Sequence, residues 1–191
     1  MSFKNVTVFC GSAMGADPKY LRAAQKLGGE LARRGLGLVY GAGKRGLMGA
    51  VAQAALEGGA HVTGINLSRF LQNEKYLMDV SENQVAHTIQ DRKLRLIEAG
   101  DACIALPGGV GTLDEITDAF SMSQLSLMAK PIALYNVSGF FDGFVRYIDY
   151  TIAQGFLKPR YRDTLIVSED LDEIFARIEA QIAEQEAQNC D

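Results

Sequence analysis

Short apolar segments alternate with longer amphipathic segments along this chain. Val6–Cys10 and Leu36–Tyr40 are mostly apolar segments, which are typical of strands buried on both faces. Between them, residues 17–34 carry apolar side chains at helical spacing, with Asp17 in position to cap the helix and Pro18 at its first turn. The first third of the chain therefore predicts a strand, a helix and a second strand.

The same alternation continues to the end of the chain. Four further strands are expected, at His61–Ile65, Ala102–Leu106, Ile132–Tyr135 and Thr164–Val167. Further helices are expected to end near Gly58, to cover Asn83–Ala99, Thr112–Met128 and Phe140–Gln154, and to begin near Asp170. Strands that alternate with helices imply crossover connections and a mostly parallel sheet covered on both faces. The pattern predicts an α/β fold, a Rossmann-like doubly wound sheet, in one domain over residues 1–191.

Composition narrows the functional class. The 191 residues are 48% hydrophobic and 22% charged, a globular balance that excludes a disordered chain. The net charge of −4 argues against a protein that coats nucleic acid, and no apolar run is long enough for a membrane span. Three cysteines, Cys10, Cys103 and Cys190, lack metal-site spacing, so we expect reduced thiols, a cytoplasmic protein and no metal.

Three glycine-rich turns follow predicted strands. Glycine lets backbone N–H groups approach an anion, and the N-terminus of the following helix adds positive potential. Any of the three turns could hold a phosphate group. They are Cys10-Gly11-Ser12-Ala13-Met14-Gly15, the run from Gly41 to Gly49, and Pro107-Gly108-Gly109-Val110-Gly111-Thr112-Leu113-Asp114-Glu115.

The second turn contains the spacing of a dinucleotide-binding loop, with glycines at positions 41, 43 and 46. An acidic residue that would bind the ribose is expected about 20 residues later, but residues 61–66 contain none. An alternative is that these glycines only permit close packing of a helix on a strand. We therefore do not expect binding of NAD or FAD.

Two charged residues give the third turn possible chemistry. With the helix taken to begin near Thr112, Glu115 falls in its first turn, where it could act on a phosphorylated sugar or simply stabilise the helix dipole. The preceding predicted helix carries Arg92 in a cluster of cations, either on a solvated face or at a depth that reaches a cleft. A phosphate-binding turn, a carboxylate and a guanidinium together suit a phosphorylated nucleoside or sugar better than a protein partner.

These motifs together resemble those of the LOG ("lonely guy") family. Pro107–Glu115 matches its PGGxGTxxE signature, and Asp91-Arg92-Lys93 is similar to its E-R-K element. The two earlier glycine turns resemble its C-G-S-x-x-G and G-G-G-x-x-G-L-M-G segments, so the likeness runs from Val6 to Tyr150 in the same order.

The resemblance implies an enzyme, a cytokinin riboside 5'-monophosphate phosphoribohydrolase. Such an enzyme hydrolyses the N-glycosidic bond of a nucleoside 5'-monophosphate to the free base and ribose 5-phosphate. It also implies a Rossmann-like fold, a homodimer or higher homo-oligomer, and no cofactor. Arg92 and Glu115 correspond to the catalytic pair. The expected substrate-binding residues are Gly11, Ser12, Gly43, Gly46, Glu74, Lys93, Gly108, Gly109, Val110, Gly111, Thr112 and Ser121.

The chain departs from the common family pattern at several positions. The usual G-S-V of the second turn is Gly43-Lys44-Arg45, the V-I-P after the third strand is Ile65-Asn66-Leu67, and two usual aromatic residues are Val110 and Met122. These positions neighbour the expected base pocket, so adenine or another purine is as plausible a base as a prenylated adenine. A second class of function also stays open, a carrier that binds a nucleotide or molybdenum cofactor without catalysis.

Assembly is the last expectation from the sequence. The predicted helix Thr112–Met128 carries more apolar side chains than one crossover helix needs, which indicates at least a dimer with this helix near the contact. The apolar residues that carry this expectation are Ile116, Ala119, Phe120, Met122 and Met128.

Overall fold

The computed structural model describes residues 3–70, 79–125 and 127–188, and a seven-stranded sheet organises them. Every strand pairing is parallel, in the order β4-β3-β2-β1-β5-β6-β7. The strands are β1 Asn5–Phe9, β2 Gly37–Tyr40, β3 Val62–Leu67, β4 Glu82–Ala86, β5 Ala102–Ala105, β6 Ile132–Tyr135 and β7 Leu165–Ser168. The predicted α/β, doubly wound architecture is confirmed.

Seven α-helices connect or flank these strands within the described residues. They are α1 Pro18–Arg33, α2 Gly46–Glu57, α3 Ile89–Ala99, α4 Val110–Gln124, α5 Asp142–Ala153, α6 Pro159–Thr164 and α7 Leu171–Gln188. As predicted, α1 begins with Pro18, and the Asp17 carboxylate accepts a hydrogen bond of 2.9 Å from the Lys19 backbone N–H. None of the described helices is long and apolar enough to cross a membrane.

Two apolar layers cover the sheet, one on each face. Buried residues of α1, α2 and α7 pack on one face against side chains such as Val8 and Ile104. Buried residues of α3, α4 and α5 pack on the other face against neighbours such as Phe9 and Cys103. The alternation of Val8 with Phe9 shows the two-residue period of a strand buried on both sides.

The prediction that a helix covers Asn83–Ala99 is wrong in its first part. Residues 82–86 form the edge strand β4, which pairs with β3, and α3 begins only at Ile89, after Thr88 caps it. β4 is largely exposed, so its polar sequence lacks the apolar run that marked the central strands. The short helix α6 was also not predicted, because none of its residues is buried and it therefore lacks an apolar stripe.

The direction of winding reverses between β1 and β5. From β1 the chain proceeds outward to β4, and it then returns to β5 on the other side of β1. In such sheets the carboxyl ends of the strands on either side of this reversal diverge and leave a crevice. The loops that follow β1 and β5 meet there, where the Gly11 N–H donates a hydrogen bond of 3.1 Å to the Pro107 carbonyl.

Candidate functional site

A cavity of about 640 Å³ lies at the carboxyl ends of β1, β2, β3 and β5. Its volume is within the range of small-molecule sites. All three glycine turns contribute to its wall, together with α3 and the start of α4. The lining residues are Cys10, Gly11, Ser12, Gly41, Gly43, Met48, Asn66, Ile89, Arg92, Lys93, Gly109, Val110, Gly111, Thr112, Asp114 and Glu115.

Arg92 joins three elements at the floor of this cavity. Its Nε donates to the carbonyl of Ile65 at 2.8 Å, and its Nη2 donates to the carbonyl of Gly41 at 2.9 Å. Its Nη1 donates to Oε1 of Glu115 at 3.2 Å. The guanidinium therefore connects β3, the loop after β2 and helix α4. Of the two sequence alternatives, a solvated face and a reach into a cleft, the structure shows the second.

Glu115 is as buried as its partner Arg92, since each of the two residues is 9% exposed. Burial raises the pKa of the Glu115 carboxyl, and the positive charge and hydrogen bond of Arg92 only partly oppose this shift. A raised pKa in a cavity, with one defined charge partner, is typical of functional sites. The carboxyl group is thus a weaker acid than an ordinary glutamate.

The expected place of Glu115 in the first helical turn is wrong. Gly109 precedes the helix, α4 begins at Val110, and its first turn holds no acidic residue. The loop after β5 tightens at once into the helix, so Glu115 lies in the second turn and points toward Arg92. The helix-dipole explanation loses its basis, because that effect is confined to the first turn.

The start of α4 has free backbone donors toward the cavity. No side chain caps this helix, and Leu113 is its first residue whose N–H bonds to the Gly109 carbonyl, at 3.1 Å. A Cβ at Gly109 or Gly111 would meet no atom within 4 Å, so the packing of this chain does not require glycine at either position. Two glycines that packing does not require, beside uncapped N–H groups, leave room for an anion.

Other glycines of the three turns have packing roles. A Cβ on Gly41 would collide with Nη2 of Arg92, and one on Gly108 would collide with the Thr112 side chain. Gly46 has a φ of +64° and packs against the backbone of Ser12. Close approach therefore explains the glycines at these three positions.

Lys93 lies beside the cavity in a pair of surface salt bridges. Its Nζ is 3.1 Å from Asp114 Oδ1 and 3.1 Å from Asp118 Oδ2. Partial burial works against the charge of Lys93, but the two carboxylates outweigh it and raise its pKa. The ammonium group stays charged at the rim of the cavity.

The structure gathers most of the expected site residues. Gly46, Gly108 and Ser121 do not line the cavity, and Ser121 is exposed near the end of α4. Glu74 lies outside the described residues. Sequence reasoning did not assign Cys10, Gly41, Met48, Asn66, Ile89 and Asp114 to the site. The signal for several of them was their position at a predicted strand end.

Solved structures with this fold include two molybdenum cofactor proteins. The molybdenum cofactor carrier protein of Chlamydomonas reinhardtii superposes with a TM-score of 0.71 and 18% identity, over 95% of this chain and 99% of that one. The molybdenum cofactor binding protein of Rippkaea orientalis gives a TM-score of 0.69 and 20% identity, with coverages of 95% and 99%. At such identities the likeness concerns the fold alone.

Relatives matched by sequence are more nearly identical to this chain. A cytokinin riboside 5'-monophosphate phosphoribohydrolase of Oryza sativa subsp. japonica is 38% identical over 184 residues, which cover 96% of this chain and 76% of the relative. One of Arabidopsis thaliana is 37% identical over 177 residues, 93% of this chain and 82% of the relative. The family model described as "Possible lysine decarboxylase" matches residues 48–178. These matches agree with the motifs of the three glycine turns and with the sheet that brings the turns together. The chain therefore belongs to the LOG family.

Proposed function

We propose that this protein hydrolyses the N-glycosidic bond of a nucleoside 5'-monophosphate, releasing the free base and ribose 5-phosphate. The observation that carries the proposal is the buried Arg92–Glu115 pair next to the uncapped start of α4. A phosphate on that helix start would hold a ribose beside the Glu115 carboxylate. The relatives of the same family carry names that describe this reaction.

The phosphate provides the binding energy in this proposal. The N–H groups of Val110, Gly111 and Thr112 have no helical acceptor, because they form the first turn of α4. Hydrogen bonds from such groups to a phosphate are charge-assisted and add to the potential of the helix N-terminus. The 5'-monophosphate then orients the sugar.

The ribose end of the substrate requires a negative charge. Breaking the bond between C1' and the base nitrogen develops oxocarbenium character on the sugar, which a nearby carboxylate stabilises. The Glu115 carboxylate can act electrostatically, as a nucleophile, or as a base for water. In each case water supplies the hydroxyl of ribose 5-phosphate, and the base leaves with a proton.

Arg92 positions that carboxylate. A guanidinium has five N–H donors, and the three hydrogen bonds to Ile65, Gly41 and Glu115 use three of them. Two donors remain on a side chain that lines the cavity, so Arg92 can also contact the substrate. Its fixed geometry means that the charges are in place before a ligand binds.

A carrier function without catalysis is the second candidate, and the molybdenum cofactor proteins share the fold. A carrier of an anionic ligand gains nothing from a buried carboxylate beside its phosphate site, because like charges repel. Glu115, with its raised pKa, therefore favours the enzyme.

Product analysis tests the reaction directly. AMP is incubated with the protein and with its Glu115→Gln variant, and the products are separated by chromatography. Free adenine and ribose 5-phosphate from the wild type alone support the proposal. Intact AMP that remains bound to the wild type would instead support the carrier.

We further propose that the chain acts as one nucleotide-binding domain in a cytoplasmic homodimer or higher oligomer, with the end of α4 at the contact. Cys10 and Cys103 are free and buried thiols, as a reducing compartment allows. Leu125 and Leu127, just beyond α4, are 67% and 68% exposed, and two leucines so exposed within three residues favour a protein contact.

The residues first expected at that contact are mostly elsewhere. Ile116, Ala119 and Phe120 are buried in the chain's own core against the sheet. Met122 and Met128 pack partly on the same core. The apolar face of α4 is therefore covered by the chain's own core. The proposed contact rests instead on the exposed leucines that follow the helix.

A further inference from the structure

Asn66 places an amide in the wall of the cavity without a hydrogen-bonding partner for its nitrogen. The residue is 6% exposed and is near the end of β3. Its Nδ2 is buried, and no described residue accepts a hydrogen bond from it. A buried donor without an acceptor is costly, so an exception next to a cavity requires an explanation.

Only one other side-chain atom in the described part of the chain shares this condition. Tyr40 Oη is also buried without a partner, but Tyr40 does not line the cavity. Of these two residues only Asn66 lines the cavity, so a ligand that turns its amide toward the cavity would give the buried nitrogen an acceptor. The position matters further because the chain departs here from the V-I-P sequence common in its family.

The order of strands separates Asn66 from the expected phosphate position. The uncapped helix start follows β5, and the sheet continues from β5 through β1 and β2 to β3. Three strand spacings separate the two ends, roughly 14 Å. With the phosphate on α4 and the ribose beside Glu115, a base that continued along the cavity would reach the ends of β2 and β3.

We propose that Asn66 recognises the edge of the nucleobase and selects a 6-aminopurine. This inference rests on the proposed function. An asparagine amide donates through Nδ2 to N7 of adenine and accepts through Oδ1 from the N6 amino group. A 6-oxopurine presents two acceptors at the same edge, so Oδ1 would face an oxygen. An adenine with one substituent on N6 keeps one N6–H and is still accepted.

The first test compares two substrates that differ in this group, AMP and IMP. The wild type is expected to prefer AMP in kcat/KM by about 10- to 100-fold, the scale for one bidentate contact to a base. Asn66→Leu, of similar volume and without the amide, should reduce this ratio to within about 3-fold, mainly through loss of AMP turnover. Met48→Leu changes an apolar residue of the same cavity and should affect both substrates alike.

A binding measurement separates this inference from the proposed reaction. AMP and IMP are titrated by calorimetry into Glu115→Gln, and into Glu115→Gln with Asn66→Leu or Asn66→Asp. Selective AMP binding that both Asn66 variants abolish supports the inference even if the wild type hydrolyses nothing, which would refute the reaction only. An AMP/IMP ratio unchanged by either variant, or absence of nucleotide binding, overturns the inference.

The folding of the variants is a further readout. Asn66→Leu removes a buried donor that lacks a partner, so its melting temperature should equal or exceed that of the wild type. A clear drop would mean that the amide has a structural role. In that case the Asn66→Asp variant tests base recognition, since an aspartate keeps the shape of the side chain but cannot donate to N7.

Discussion

Arg92 Nη1 lies 3.2 Å from Glu115 Oε1, and each residue is only 9% exposed. Burying two charges carries a desolvation cost that their attraction does not always offset. Here the guanidinium also binds two backbone carbonyls, which keeps its position independent of the carboxylate. The geometry suits a site in which charge is arranged in advance of the reaction.

Glu115→Gln should separate catalysis from binding. It keeps the size of the side chain and an acceptor for Arg92 but removes the negative charge. Hydrolysis of AMP should fall by at least about 100-fold, while AMP binding measured by calorimetry persists. Glu98→Gln, on the exposed side of α3, is the matched control and should leave turnover unchanged. Wild-type rates in Glu115→Gln would show that the carboxylate has no catalytic role.

The pH dependence of stability should differ between the wild type and Glu115→Gln. The folded-state pKa of Glu115 is raised, so as the pH rises the unfolded chain loses this proton first. The wild type should therefore lose stability relative to the variant above the ordinary glutamate pKa, until the folded-state pKa is passed. Urea denaturation at a series of pH values measures this, and a constant difference would contradict the raised pKa.

The same shift should appear in the kinetics. If the reaction requires ionised Glu115, kcat/KM for AMP rises with pH through the raised folded-state pKa. The midpoint of this acid limb should lie above the ordinary glutamate pKa. A midpoint at or below that value would assign the limb to another group.

Arg92→Lys should be costly despite keeping the charge. One ammonium group cannot reach the carbonyls of Ile65 and Gly41 and the Glu115 carboxylate in the same geometry. We expect the free energy of unfolding to fall by about 2–4 kcal/mol and kcat/KM to fall at least about 100-fold. Arg95→Lys, in a more exposed pair with Asp91, should change stability by less than about 0.5 kcal/mol. Equal effects of the two variants would contradict the conclusion that the three hydrogen bonds of Arg92 require a guanidinium.

Gly111→Ala should stabilise the protein and impair its activity. Its Cβ would enter open space within the first turn of α4, where alanine favours the helix by up to about 1 kcal/mol. The same methyl group would occupy the expected phosphate position and lower kcat/KM for AMP. Gly28→Ala is the contrast, because its Cβ would lie 2.9 Å from that of Ala54 and destabilise the core. Full AMP turnover in Gly111→Ala would argue against a phosphate at this turn.

The proposed contact beyond α4 predicts a change of assembly. Replacing Leu125 and Leu127 together by aspartate should convert an oligomer to a smaller species in light scattering, since charge cannot be buried there without a partner. Phe156→Ser, at an exposed apolar residue elsewhere on the surface, is the comparison. Dissociation by Phe156→Ser alone would move the contact to the end of α5.

The central strands could be predicted from the sequence because burial on both faces favours mostly apolar segments. Ile132–Tyr135 was predicted with the bounds that the structure shows, and the other central strands to within two residues at each end. Residues 83–86 of the edge strand β4 were predicted as helix, because exposure removes the apolar pattern that marks a strand. Local sequence therefore determined the strands buried in the core better than the strand at the edge of the sheet.

The three glycine turns were also determined by local sequence, since each follows an apolar strand and precedes a helix. Only the tertiary structure decided what each glycine does there. Gly41 makes room for Arg92, while Gly109 and Gly111 face open space. The unpartnered amide of Asn66 and the raised pKa of Glu115 likewise depend on neighbours far along the chain. Burial and hydrogen bonding arise from the parallel order of the strands, which the local pattern of residues does not specify.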